Sequence, residues 1–408
     1  MNLTSEYHSP FVDLGITRTD LESYLATCGY WSDETRRTRY AYELSPSAYV
    51  LSSLQRTLLE RLAHTTYKAV EMLAIRLATI GLKKSPSTHE EGRLMNLARG
   101  GARHLLRPYD GISAIPPVIK VDLMQGADGG FYIAEVDVYN PRGLGFIALL
   151  EGSVPPMYYS KRLPGMDGLA KLLLQNPQFS ILISEFERFY EPSYQIFADM
   201  MNAHYGASIR VVRELRFDAD EHNERLLIIP DTLDKAPALR ELLMERYHAG
   251  TLKTLFPPTA YLGSKAFLPW LAAEPGMDEF MPTTTLVGKG CKDPFTRIPR
   301  EKPTVLKAAV SSGLKHVFFS DLDRDFAPAL QRASDQKNPS WILQEQVKQA
   351  PCTVTVFDRE GNRERRAYYL RVTAYIACTG LIDVEVTGRP DPKVHGAPDC
   401  IMVPVILG

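Results

Sequence analysis

Three carboxylates in two short runs are the residues of this chain best spaced to do chemistry. Asp122 lies in Val118-Ile-Lys-Val-Asp-Leu-Met, Glu135 and Asp137 lie in Phe131-Tyr-Ile-Ala-Glu-Val-Asp-Val-Tyr, and a Gly-Ala-Asp-Gly-Gly turn separates the runs. Period-two alternation around a glycine-rich turn predicts a β-hairpin. Successive strand side chains point to opposite faces, so Glu135 and Asp137 share one face and Ala134, Val136 and Val138 the other. If the apolar faces of the two strands coincide, Asp122 joins the other acids. Three adjacent carboxylates repel unless a cation compensates them. Oxygen-only ligands, with no His or Cys, select a hard ion such as magnesium or manganese, which bridges to substrate phosphates. The plainer alternative is a solvated face whose acids are spread by strand twist. Asn140-Pro-Arg-Gly-Leu-Gly follows at once. Asn140 could extend a metal or phosphate shell, and Arg142 could grip an anion through two nitrogens, a surface ion pair being its alternative role.

The second polar group lies far downstream. Thr304-Val-Leu-Lys-Ala-Ala-Val-Ser-Ser-Gly-Leu-Lys-His-Val reads as strand, small flexible turn, strand. Lys307 on the first strand offers a compact positive charge, and a turn through Ser312 and Gly313 can close backbone N–H groups over phosphate oxygens. Lys289 is a second candidate cation, with Lys292 as its rival. Trp341-Ile-Leu-Gln-Glu-Gln-Val is an apolar strand running into polar residues, an edge able to pair with an adenine through main-chain groups. His395 reads as a loop histidine that stabilises its turn, since nothing at local spacing partners it as a base. Spacing assigns no role to Arg103, Arg107 or Lys265.

The elements that must carry these groups are legible from periodicity. Leu51, Leu54, Leu58 and Leu62, then Val70, Leu73 and Leu77, follow a helical period with Ser52 or Ser53 available as N-cap, and the stripe reads as core. Ser180-Ile-Leu-Ile-Ser, a helix near Tyr194 to Tyr205, Ser208-Ile-Arg-Val-Val and Leu226-Leu-Ile-Ile alternate as in an open α/β sheet. No G-x-G-x-x-G accompanies them, so a dinucleotide site is unsupported. After Phe280 the chain is strand-rich and predicts an antiparallel sheet.

Composition sets the outer bounds. At 408 residues the chain suits two or three domains, and 45% hydrophobic with 23% charged residues is ordinary for a globular protein. A net charge of -1 gives no standing attraction for nucleic acid or a membrane surface. Five scattered cysteines with no C-x-x-C suggest neither a disulfide framework nor a zinc site. Without a leader-like N-terminus or a long apolar run, a cytoplasmic location is expected.

The order of these parts, acids first, then an α/β region, then the lysine strand, resembles the circularly permuted branch of the ATP-grasp superfamily, which includes glutathionylspermidine synthetase. In ordinary ATP-grasp enzymes the lysines and hinge come before the acidic motif. Asp122 and Glu135 match that branch's metal motif, and Asp137 stands where Asn is usual, keeping an oxygen but adding a charge. The lid looks similar at Lys307, Ser312 and Gly313, with Lys289 beside it, and the hinge at Gln344, Glu345 and Val347. A late arginine for the ATP phosphates is Arg371 or Arg389.

The resemblance covers roughly residues 118 to 408 and implies an α+β / α/β fold. Its parts are a mainly helical region at 1–115, a metal-binding hairpin at 116–175, an open α/β subdomain at 176–275 and an antiparallel lid with remaining core strands at 276–408. It implies a carboxylate-amine ligase that forms an amide through an acyl phosphate, with ATP and two magnesium ions, or manganese, as cofactors. Asp122, Glu135 and Asp137 would be metal ligands, and Arg142, Arg371 and Arg389 the candidate catalytic cations. Substrates would be a small carboxylate and an amine, with a γ-glutamyl ligase as one form. A homodimer is among the assemblies left open. The alternatives are a nucleotide-binding homologue without ligase activity and a phosphotransferase.

Overall fold

Three short strands and two helices open the chain: β1 (Phe11–Asp13), α1 (Arg18–Thr27), β2 (Glu43–Leu44), β3 (Ser47–Leu51) and α2 (Ser53–Gly81). The computed structural model describes residues 10–29, 43–81, 115–138, 143–218, 225–228, 236–256, 260–309, 311, 316–337, 340–358, 360–394 and 399–408. Asn140, Arg142, Ser312, Gly313 and His395 lie outside the described residues. The Ser52 hydroxyl accepts the Gln55 N–H, capping α2 at its start. Leu62, Val70, Leu73 and Leu77 are buried as their spacing requires, but Leu51 ends β3 and Leu54, in the first turn, is 79% exposed. Leu59 takes the place in the core that the spacing gave to Leu54.

The hairpin forms as β4 (Ile119–Gln125) and β5 (Phe131–Asp137), paired antiparallel with Asp122 opposite Glu135 and Lys120 opposite Asp137. Strict alternation fails at one point. Leu123 pairs with Ile133, so Ala134 is an extra residue on β5, a β-bulge. The bulge resets the phase: Phe131 and Ile133 stay in the core, and Glu135 and Asp137 turn to the opposite face from them.

The helices α3 (Leu144–Ser153) and α4 (Gly165–Leu173) follow. Gly143 and Gly145 are packing requirements: a Cβ on Gly143 would strike the Tyr375 hydroxyl, and one on Gly145 the Ser193 carbonyl. The expected α/β unit comes next, with β6 (Gln178–Ile183), α5 (Glu191–Tyr205), β7 (Ser208–Arg213) and β8 (Arg225–Ile228) making a parallel sheet in the order β7-β6-β8. Its central strand is buried on both faces, as parallel sheets require. The helix α6 (Pro237–His248) covers it through Leu243.

The strand-rich remainder divides among three sheets instead of forming one. The strands β9 (Thr284–Val287), β10 (Thr304–Ala308) and β11 (Val317–Phe319), the helix α7 (Phe326–Ser334) and β12 (Trp341–Glu345) form a separate unit, an antiparallel sheet in the order β11-β10-β12-β9. Its own small core joins Val287, Leu306 and Leu343 to Ala329 and Ala333 of α7. The strands β13 (Cys352–Phe357), β14 (Arg363–Ala377), β15 (Gly380–Arg389) and β16 (Ile401–Val403) return to the hairpin and complete a seven-stranded sheet with β2, β4 and β5. Pro404 cannot continue a ladder. The chain changes sheet there, β16 running parallel to β2 and the final β17 (Val405–Leu407) parallel to β3.

The largest core lies between α2 and the apolar face of the seven-stranded sheet, where Leu62, Leu73 and Leu77 meet Val121, Leu123, Ile133, Val372 and Val386. Each such side chain contributes about 1.5–3 kcal/mol when fully buried. Holding that face inward turns the polar side chains of the same strands to the other side of the sheet. Among the described residues no helix is long and apolar enough to cross a membrane.

Candidate active site

Register alone assembles the polar face, because residues directly opposite in an antiparallel ladder share a face. Glu135 pairs with Asp122, Asp122 with Thr373, and Thr373 with Glu385. One step along, Asp137 pairs with Lys120, Lys120 with Tyr375, and Tyr375 with Asp383. Hydrogen bonds tie the rows together. The Thr373 hydroxyl donates to Asp122 Oδ1 at 2.7 Å, and the Tyr375 hydroxyl donates to Glu385 Oε2 at 2.7 Å. Arg371 Nη1 lies 3.8 Å from Asp122, and its Nη2 donates to the Thr387 hydroxyl at 3.3 Å.

Two lysines reach this face from outside the seven-stranded sheet. Lys265, in the short 3-10 helix Lys265–Phe267, places Nζ 2.6 Å from Glu135 Oε1 and 2.9 Å from the Ser311 carbonyl oxygen. Lys307 of β10 donates to the carbonyl of Ala134, the bulge residue, at 3.0 Å and to Gln344 Oε1 at 2.6 Å. Gln344 in turn donates to the Ile133 carbonyl and the Thr284 hydroxyl, so this buried amide fixes the lysine and docks the four-stranded sheet on β5. Both lysines are at most 9% exposed, an expensive place for an ammonium. Burial works against the charge on Lys265, but Glu135 holds it above the ordinary lysine value. Lys307 has no such direct partner, and burial, with Lys265 adding to it against Glu135, brings it down to about 8. Burial, only partly offset by Lys265, pushes Glu135 up to about 7.

The three acids expected as metal ligands are each in contact with a basic side chain. Lys120 Nζ sits between the acids, 3.2 Å from Asp122 and 3.3 Å from Asp137, and Lys265 holds Glu135. Three ammonium or guanidinium groups, those of Lys120, Lys265 and Arg371, therefore compensate the three carboxylates that a divalent ion was expected to neutralise. Among the described residues no group of three or more His, Cys, Asp or Glu is gathered to hold a metal. The donor chemistry suits magnesium, but the residues as arranged do not fit a preformed ion site.

The remaining expected residues divide. Arg371 lies on the polar face, whereas Arg389 is engaged by Asp399 at 2.9 Å and by the Lys393 carbonyl, so geometry favours Arg371 of the two. Lys289 and Lys292 are exposed on the loop after β9 and make no contact with the acids. Lys265, to which spacing assigned no role, is the lysine that reaches Glu135. Glu345 accepts from Lys302 at 2.6 Å at the C-terminal end of β12, an interior strand of its sheet; the Glu345 and Gln346 N–H groups donate to the Thr283 and Pro303 carbonyls, and Val347 is half-buried just beyond. A lone lysine in Gly-Ser-Lys-Ala-Phe-Leu-Pro-Trp-Leu, a mostly apolar stretch, was the available signal for Lys265.

Burial, reinforced by Glu151 and Glu385, also pushes Asp383 up to about 8. Asp383 and Glu135 thus titrate above the ordinary carboxylate value of about 4 that applies to the unfolded chain. Their stabilising contribution is complete below that value and lost as pH rises through the folded values. The urea midpoint is expected to fall between about pH 5 and pH 8.5, and Asp383→Asn should flatten the decline. An equal slope in the variant would remove Asp383 from the explanation.

No family model matches the chain, and no curated protein matches it. A solved structure of a protein provisionally named γ-glutamylcysteine synthetase, from Methylobacillus flagellatus, aligns over 83% of this chain and 86% of its own at 12% identity, but its TM-score of 0.32 carries no argument. The chain is similar to a glutathione synthetase-like effector from Globodera pallida, solved in apo form, at 12% identity and a TM-score of 0.55, over 97% of this chain and 99% of that one. The two share a fold, a mixed α/β architecture that runs the whole length of both.

Proposed function

We propose that this chain is an ATP-dependent carboxylate-amine ligase of the circularly permuted ATP-grasp kind, joining amino acids or similar small metabolites. The observation that carries the reading is the convergence of two buried lysines, Lys265 and Lys307, on the hairpin strand that bears Glu135. Strongly perturbed charges where two sheets meet mark a candidate functional site. A nucleoside triphosphate is the ligand that would repay them: its phosphates would lie against Lys265, Lys307 and Arg371, with the adenine beside residues 345–347 at the C-terminal end of β12.

In this reading the chain acts by positioning and charge. A substrate carboxylate oxygen attacks the γ-phosphorus, the bond to ADP breaks, and an acyl phosphate forms. The amine nitrogen then attacks the acyl carbon, phosphate leaves with the carboxylate-derived oxygen, and the nitrogen gives up a proton. No side-chain nucleophile is needed. The acids fit no preformed metal site, so no step is assigned to an ion held by them. The γ-glutamyl ligase is the narrower form of the proposal.

One observation favours a second reading, a nucleotide-binding protein without ligase activity: all three acids are already ion-paired. An ADP-release screen over pairs of amino acids, with product detection by mass, separates the two. A ligase releases ADP when carboxylate and amine are both present and yields the condensed mass. Stabilisation by magnesium-ATP with no ADP from any pair favours the second reading, and phosphorylated product without amide indicates a phosphotransferase.

A further inference from the structure

We infer that Lys120 is a built-in counter-ion for the acidic face, standing where a divalent cation bridging Asp122 and Asp137 would otherwise stand. The position is dictated by the strand. Lys120 is two residues from Asp122 on β4 and therefore on the same face, and the register sets it directly opposite Asp137. Its Nζ is 3.2 Å from Asp122 and 3.3 Å from Asp137, with 15% of its side chain exposed. A single ammonium thus spans carboxylates on two strands.

The distribution of partners leads to the same assignment. Lys265 serves Glu135, Arg371 Nη1 lies 3.8 Å from Asp122, and Lys120 is the ammonium that Asp122 and Asp137 share. A divalent ion entering between Asp122 and Asp137 would have to displace the half-buried Lys120 ammonium from both carboxylates, a costly exchange. Removing the ammonium while keeping the stem's bulk would leave Asp122 and Asp137 as an oxygen-only pair suited to a hard cation.

The proposal concerns the chain without nucleotide and does not depend on the ligase reading, since neither ATP nor turnover enters its test. Manganese(II) binding to the full-length, nucleotide-free protein would be followed by the loss of the free-ion EPR signal. The wild-type chain is expected to bind none up to about 1 mM, the weak end of protein cation sites. Lys120→Met is expected to bind one ion at least about ten-fold more tightly than that ceiling, and the double variant Lys120→Met/Asp137→Asn to lose it again. Binding by the wild-type chain that is abolished by Asp137→Asn would overturn the proposal even if Lys120→Met did not fold. Folded Lys120→Met without a gain in binding would also overturn it.

Discussion

Lys307→Met is expected to lower ATP turnover by about two to three orders of magnitude while leaving the chain folded. Lys307 is buried, carries its charge against the local environment and makes its direct contacts with the Ala134 carbonyl and Gln344. Its proton is held weakly in the absence of an anion, and a phosphate beside it would restore it. Methionine fills the volume and removes a charge that burial already disfavours, so the penalty falls on phosphate binding and not on the core. The measurement is ADP release under saturating substrates, with circular dichroism to confirm the fold. Unchanged kinetics in a folded variant would move the phosphate site away from β10.

Glu135→Gln is expected to cost about two orders of magnitude in turnover, with a melting temperature within a few degrees of wild type. The amide keeps an acceptor for Lys265, 2.6 Å from the carboxylate, but loses the charge that holds that lysine protonated. Lys265 then becomes a poorer partner for phosphate. Near-normal ADP release from a folded variant would count strongly against a role for this side of the hairpin. Glu135→Gln weakens the support for the charge on both lysines but leaves the Gln344 contact of Lys307 in place, whereas Lys307→Met removes that contact.

The hairpin, the long helix and the parallel unit could be read from the sequence because each is set by local periodicity. The acids share a face for the reason alternation gives, yet the bulge at Ala134 was passed over in a run read as alternating throughout. Its trace was there: Phe131 and Ile133 are buried in one phase, Val136 and Val138 in the other. Lys120 was equally legible, two residues from Asp122, but repulsion among acids suggested an added ion before the neighbouring ammonium was counted. The pairing of Lys265 with Glu135 spans 130 residues, and that of Lys307 with Ala134 spans 173. No local rule reaches that far. The division of the C-terminal strands among three sheets escaped for the same reason, since strand pattern reports which residues alternate and not which ladder they join.

The most direct test of the central claim follows the oxygen atoms. With a carboxylate substrate from the amino-acid screen labelled with heavy oxygen, wild-type chain, ATP and the matching amine, mass spectrometry of the released phosphate is expected to find one labelled oxygen per phosphate, carried from the carboxylate through the acyl phosphate. Unlabelled phosphate alongside a product that keeps both heavy oxygens would contradict carboxylate activation, and with it the assignment of this chain as a ligase.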